Sequence, residues 1–168
     1  MLKRVKSSRA RSKETFAIVA SKYNARYVDA MVRAAQVELK RAGAKVKLVR
    51  VPGAFEIPAV AAALAAGGVD ASRLTPHASR PAAIVCLGVI FQGQTSHAQH
   101  IGWGVTHALA QIQIQHRLPV IHGVFVFEKE EHAKVRCLGR THNRGREAAH
   151  TALEMAQVMT SLAWNTAK

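Results

Sequence analysis

The 168-residue chain predicts an α/β fold: a three-layer α/β/α sandwich with a central four-stranded parallel sheet. Two observations carry the prediction. Four short β-rich apolar runs alternate with longer stretches of helical period, and that alternation builds parallel sheets through right-handed crossovers. The third run is apolar throughout, as a central parallel strand covered on both faces must be.

Taken in order, "TFAIVA" (residues 15–20) is the first buried strand, and the helix after it puts Tyr27, Met31, Ala34, Ala35 and Leu39 on one face before ending near Gly43. "KVKLVRV" (45–51) is a second strand, "PGAFE" a turn, and residues 57–66 an alanine-rich helix stopped by Gly67 and Gly68. Residues 69–81 carry turn formers and no period, which predicts an exposed loop. "AAIVCLGVIF" (82–91) is the third strand, residues 96–116 a helix, and "PVIHGVFVF" (119–127) the fourth strand. Residues 130–163 read as helical except for a break at "GRTHNRG". The expected topology is flavodoxin-like. This length fits one core, so the expected organisation is a basic flexible arm, 1–14, followed by a single domain, 15–168.

Composition narrows the function. Hydrophobic residues make up 49% and charged residues 20%, and no apolar run approaches the roughly 18 residues a bilayer crossing needs, so no membrane partner is expected. Cys86 and Cys137 have neither CxxC spacing nor a disulfide framework, which points to a reducing, cytoplasmic setting. The net charge is +14, of which six Lys/Arg lie in the acid-free residues 1–13, leaving +8 on the rest. Arg136, Arg140, Arg144 and Arg146 cluster with no acid before Glu147. This balance favours anionic ligands, and the arm could hold nucleic acid non-specifically.

In a parallel sheet the strands' carboxyl ends share one edge, where ligands bind. "SKYN", "PGAFE", "FQGQTSH" and the residues after "PVIHG" should meet there. In "GQTSH", Gly93 lets backbone approach a ligand, Thr95 or Ser96 can cap the next helix, and first-turn N–H groups favour an anion such as phosphate. A plain helix cap is the competing reading. His97 falls in that first turn, where the helix dipole disfavours imidazolium, and a neutral imidazole beside an anion can shuttle protons. A metal needs ligands converging from one face, and His97 and His100 have no HExxH or second cluster beside them. His100 and His107 read as solvated. Arg136 is a candidate cation for a phosphate, or simply a solvated helix residue. Tyr23 could stack on a planar heterocycle or pack on the rim. Glu56 could cap its helix or accept hydrogen bonds from ligand hydroxyls.

"VPGAFEIP", "LGVIFQGQTSH", "PVIHGV" and "RCLGRTHNRG", in this order and at these separations, closely resemble the lumazine synthase family over roughly residues 16–159. The resemblance implies condensation of 5-amino-6-(D-ribitylamino)uracil with 3,4-dihydroxy-2-butanone 4-phosphate, giving 6,7-dimethyl-8-ribityllumazine, phosphate and water, the penultimate step of riboflavin biosynthesis. It implies no cofactor and no metal. By position, Tyr23 would stack on the pyrimidine, and Ala54, Phe55 and Glu56 would hold the ribityl chain. Val89, Ile90 and Phe91 would offer backbone to the pyrimidine edge. Gln94, Thr95 and Arg136 would bind phosphate, and His97 would transfer protons. The family shares each pocket between neighbouring subunits, so Arg136 is expected to act across an interface of a homopentamer, or of an icosahedral capsid of 60 subunits, because "GRTHNRG" carries no insertion.

The chain departs from the family pattern at four places. His122 stands where phenylalanine is usual, which puts an apolar contact in doubt and offers a polar one to the aminouracil. Arg144 stands where lysine is usual, an additional candidate with changed donor geometry. "FQG" in place of "IRG" removes a cation, and the loop at 69–81 is longer than usual. The competing function is a basic shell-forming or nucleic-acid-binding protein that keeps the fold without the activity. Its support is the arm alone, because aromatics are 5% of the chain and no recognition motif is present.

Overall fold

The computed structural model describes residues 11–67 and 80–166. Residues 1–10 of the expected arm, the helix-stopping Gly68 and residues 69–79 of the expected loop lie outside the described residues. The chain runs β1 (Thr15–Ser21), α1 (Ala25–Arg41), β2 (Lys45–Val51), α2 (Ile57–Ala65), β3 (Ala83–Phe91), α3 (His97–His116), β4 (Val120–Phe127), α4 (Glu130–Ala133), a π-helical turn (Lys134–Leu138) and α5 (Arg144–Thr166). The strands form one parallel sheet in the order β2-β1-β3-β4.

The period-two pattern of β1 sorts its side chains into two cores. Phe16, Ile18 and Ala20 join α1 and α5 on one face, with Met31, Leu39 and Leu153 among their partners. Ala17 and Val19 join α2 and α3 on the other, with Ile57, Val105 and Leu109. The result is the expected α/β/α sandwich. β3 is buried over its first seven residues, whereas β2, at the edge, exposes Lys45, Lys47 and Leu48. Lysines on an outer strand discourage pairing with another sheet.

Helix ends fall within a residue or two of the sequence expectation. Gly43 follows α1 at φ 90° and Gly67 follows α2 at φ 96°, left-handed positions that only glycine adopts at little cost. Before β1, Ser12 N–H donates to the Ala42 carbonyl at 2.9 Å, so the chain already touches the domain from that residue on.

The contact of α1 with α5 is close enough to require glycine. A Cβ built on Gly145 would lie 2.0 Å from the Met31 carbonyl oxygen. The same two helices share a polar link, in which the buried Glu38 carboxylate meets His150 Nε2 at 3.2 Å, Arg146 Nε at 3.1 Å and Arg41 Nη1 at 3.3 Å. A buried carboxylate needs partners of this kind to offset its desolvation.

Candidate active site

The carboxyl edge of the sheet is tied together by backbone. Lys22 N–H donates to the Val51 carbonyl at 2.8 Å, Tyr23 N–H to Pro52 at 3.2 Å, and Gln92 N–H to Phe127 at 2.8 Å. Asn24, at φ 54° and ψ 40°, precedes α1 and donates its side-chain amide to the Val89 carbonyl at 2.7 Å. Asparagine tolerates this left-handed conformation better than most residues. The bond joins the end of β1 to β3.

Along this rim lie most of the residues picked out from sequence. Tyr23 presents a ring that is 73% exposed, free on one side to take a planar partner. One Glu56 oxygen accepts the Gly53 N–H at 2.8 Å, so the carboxylate braces the turn before α2 and, against the plainer reading, makes no capping bond to the helix itself. It also stands beside Tyr23, because a Cβ on Gly53 would meet Glu56 Oε2 at 2.8 Å and the Tyr23 ring at 3.7 Å. Ala54 is buried. Phe55 is exposed and faces Gly104 of α3, whose Cβ would meet its ring at 3.4 Å. Val89 is buried and Ile90 and Phe91 are half-buried.

The "QGQTSH" turn is an open loop held from within. Gln92 donates its side-chain amide to the Gly93 carbonyl at 3.2 Å and the Thr95 carbonyl at 2.8 Å, so the residue that removes a cation staples the turn instead. Ser96 does not cap α3; its hydroxyl lies 3.1 Å from His100 Nε2. Thr95 Oγ1 accepts the His97 N–H at 3.4 Å, the long limit of such a bond. The helix start therefore presents weakly capped amides to solvent, with Gln94, Thr95 and His97 exposed around them. A Cβ on Gly93 would meet nothing within 4 Å. The protein itself does not need glycine here, and the space beside it is open.

His122 lies away from that edge, whereas Arg136 and Arg144 line a cavity that reaches it at Phe127. The β3–β4 register sets His122 opposite Cys86, whereas the carboxyl edge is the Phe91–Phe127 pair. Five residues at about 3.3 Å each put His122 about 16 Å behind that edge, too far to touch His97 or Tyr23 of the same chain. Arg136 and Arg144 line a cavity of about 440 Å³ with Phe125, Phe127 and His132. The Arg144 guanidinium lies 5.8 Å from the Phe125 ring centroid and pairs with Glu147, a stacking that lysine would not reproduce.

Hydrogen-bond logic places a hydrogen on His122 Nε2. Thr106 Oγ1 lies 2.7 Å from the Gly102 carbonyl and 2.9 Å from His122 Nε2. The carbonyl can only accept, so it takes the single hydroxyl proton, and Nε2 must carry the hydrogen that points at Thr106. Partial burial pushes the imidazole pKa below its ordinary value, with the ring's own backbone carbonyl working against that shift.

Asn24 and Thr106 were not singled out from sequence, and Gln92 only as a lost cation. Asn24 had a usable signal, an asparagine just before a helix, but Gln92 and Thr106 act only through contacts made by folding. Cys86 and Cys137 are buried and free. Burial lifts the Cys137 thiol to about 12 and raises that of Cys86 as well, so neither is a nucleophile. Among the described residues no three His, Cys, Asp or Glu side chains gather as metal ligands would.

Residues 13–160 match the family model of 6,7-dimethyl-8-ribityllumazine synthase. Proteins bearing that name are similar over 150 residues, 88% of this chain and 90% of theirs: one from Stenotrophomonas maltophilia at 38% identity, one from Xanthomonas campestris at 37% and one from Xanthomonas oryzae at 35%. With the match spanning nearly the whole sandwich and the rim built on it, the chain belongs to the 6,7-dimethyl-8-ribityllumazine synthase family.

Proposed function

We propose that the protein condenses 5-amino-6-(D-ribitylamino)uracil with 3,4-dihydroxy-2-butanone 4-phosphate, releasing 6,7-dimethyl-8-ribityllumazine, phosphate and water. The carrying observation is the weakly capped start of α3, with His97 upon it, opening onto the rim that holds Tyr23 and Glu56. Tyr23 stacks on the pyrimidine, whose edge meets the backbone of Val89, Ile90 and Phe91, while Ala54, Phe55 and Glu56 receive the ribityl chain. The amides around Gln94 and Thr95 hold the phosphate as helix N-termini do.

Imine formation, phosphate elimination and ring closure each move protons, and His97 serves them as acid and base. Elimination also develops charge on the departing phosphate, which a guanidinium stabilises best by two parallel bonds. Arg136 supplies it, and the cavity it lines belongs to the neighbouring subunit's pocket. His122 enters the same shared pocket, and Arg144 adds charge beside it. The position of His122, about 16 Å from its own carboxyl edge, supports this sharing. Ring closure of the subunits into a pentamer follows from a head-to-tail interface, and sixty subunits can form the larger shell. No cofactor takes part, and two free buried thiols accord with the cytoplasm.

Mixing the two substrates with the protein tests the reading. Lumazine absorbance and fluorescence should grow at a rate proportional to enzyme and far above the mixture alone. No product above that background contradicts the proposal.

A further inference from the structure

The turn that carries Arg136 is π-helical, Lys134–Leu138. Such widened turns are rare and recur at functional sites. Here the turn is held from both ends. At the first end, Tyr27 of α1 is 4% exposed and donates its hydroxyl to Glu130, which opens α4 and so leads directly into the turn. Arg26 Nη1 lies 3.7 Å and Lys134 Nζ 3.4 Å from the same carboxylate. At the far end, the buried Asn143 donates to the Cys137 carbonyl, while its Oδ1 accepts the Gly145 N–H at 2.9 Å and the Arg146 N–H at 3.3 Å. Asn143 thus caps α5 and pins the turn to it in one residue.

The two anchors differ in what they are needed for. Asn143 is part of a helix start and Cys137 is fully buried, so that end is set by the fold. Glu130 is half-exposed and could point into water at little cost. Its bond to a buried phenol is directional and, with the longer ion pair to Arg26, ties the outer end of the turn to α1. The Tyr27 ring meanwhile packs edge-on against Phe91 at 5.5 Å, a contact that needs no hydroxyl.

We infer that Tyr27 and Glu130 are positioning residues for Arg136: their hydrogen bond sets where the π-helical turn holds its guanidinium relative to the phosphate of the substrate. The inference rests on the phosphate-binding role proposed above for Arg136. It assigns the Tyr27 hydroxyl no contact with substrate and no part in proton transfer.

Tyr27→Phe removes the hydroxyl and keeps the ring, so the fold should persist. The KM for the butanone phosphate, and the inhibition constant of inorganic phosphate against it, should rise about threefold to tenfold. The kcat and the KM for the aminouracil should stay within about twofold. Glu130→Ala, a change at a half-exposed position, should reproduce this, and Glu130→Gln, which keeps an acceptor for the phenol, should restore most of it. In an Arg136→Ala background, Tyr27→Phe should add nothing. If Arg136→Ala weakens phosphate but Tyr27→Phe does not, or if Tyr27→Phe has the same effect with and without Arg136, the positioning role is overturned. If Arg136→Ala itself leaves phosphate use unchanged, the site reading fails and the inference with it.

Discussion

His97 is the first residue of α3 and is exposed, so its replacement separates chemistry from stability. His97→Ala removes no buried contact, and its effect on unfolding should stay within about 0.5 kcal/mol. Loss of a group that moves protons in several steps should lower kcat by about a hundredfold or more, with phosphate inhibition nearly intact. Steady-state kinetics beside a denaturant titration reads both, and an unchanged kcat would remove His97 from the chemistry. The residue was legible in sequence because a histidine in the first helical turn after a buried strand has few structural reasons to be there. Glu56 was legible only as a choice between helix cap and ligand, and the Gly53 bond shows it bracing the preceding turn instead of capping. Gln92 was legible as a lost cation but not as a staple, since its partners are carbonyls of the following turn. No side-chain pattern announces those.

At the scale of elements, hydrophobic period located the strands and long helices because burial on two faces leaves a two-sided signature in β1 and an unbroken one in β3. The segment after β4 was read as helix with a break, and the break does fall where α5 has yet to start. Its π-helical turn was not legible, because one anchor, the bond of Glu130 to Tyr27 of α1, spans 103 residues and forms only in the fold, and the other, Asn143, holds a backbone carbonyl that no sequence pattern marks. The closeness of α1 and α5 was likewise hidden behind an ordinary-looking glycine in "NRG". Gly145→Ala should therefore be severe: a methyl group cannot share space with the Met31 carbonyl. Separating the helices should cost about 3 kcal/mol or more, in the range of core overpacking. Thermal unfolding should show a Tm lower by about 10 °C or more, and an unchanged Tm would mean the two helices have slack.

For the whole molecule, the proposed site draws on two parts of one chain: a rim with Tyr23, Glu56 and His97, and a cationic aromatic cavity with Arg136 and Arg144. Sequence placed all these residues in one site and could not show that a single chain keeps His122 from the carboxyl edge, because that follows from strand register. The central claim is that catalysis needs His97 from one subunit and Arg136 from its neighbour. Co-expressing His97→Ala with Arg136→Ala chains tests it most directly, since each parent assembly lacks one half of every site. Random mixing leaves about one site in four with both native residues in a head-to-tail ring. The account predicts that the mixed assembly recovers about a quarter of native turnover, while each parent alone stays near background. Mixed assemblies no more active than their parents would place both residues in the same chain's site and contradict it.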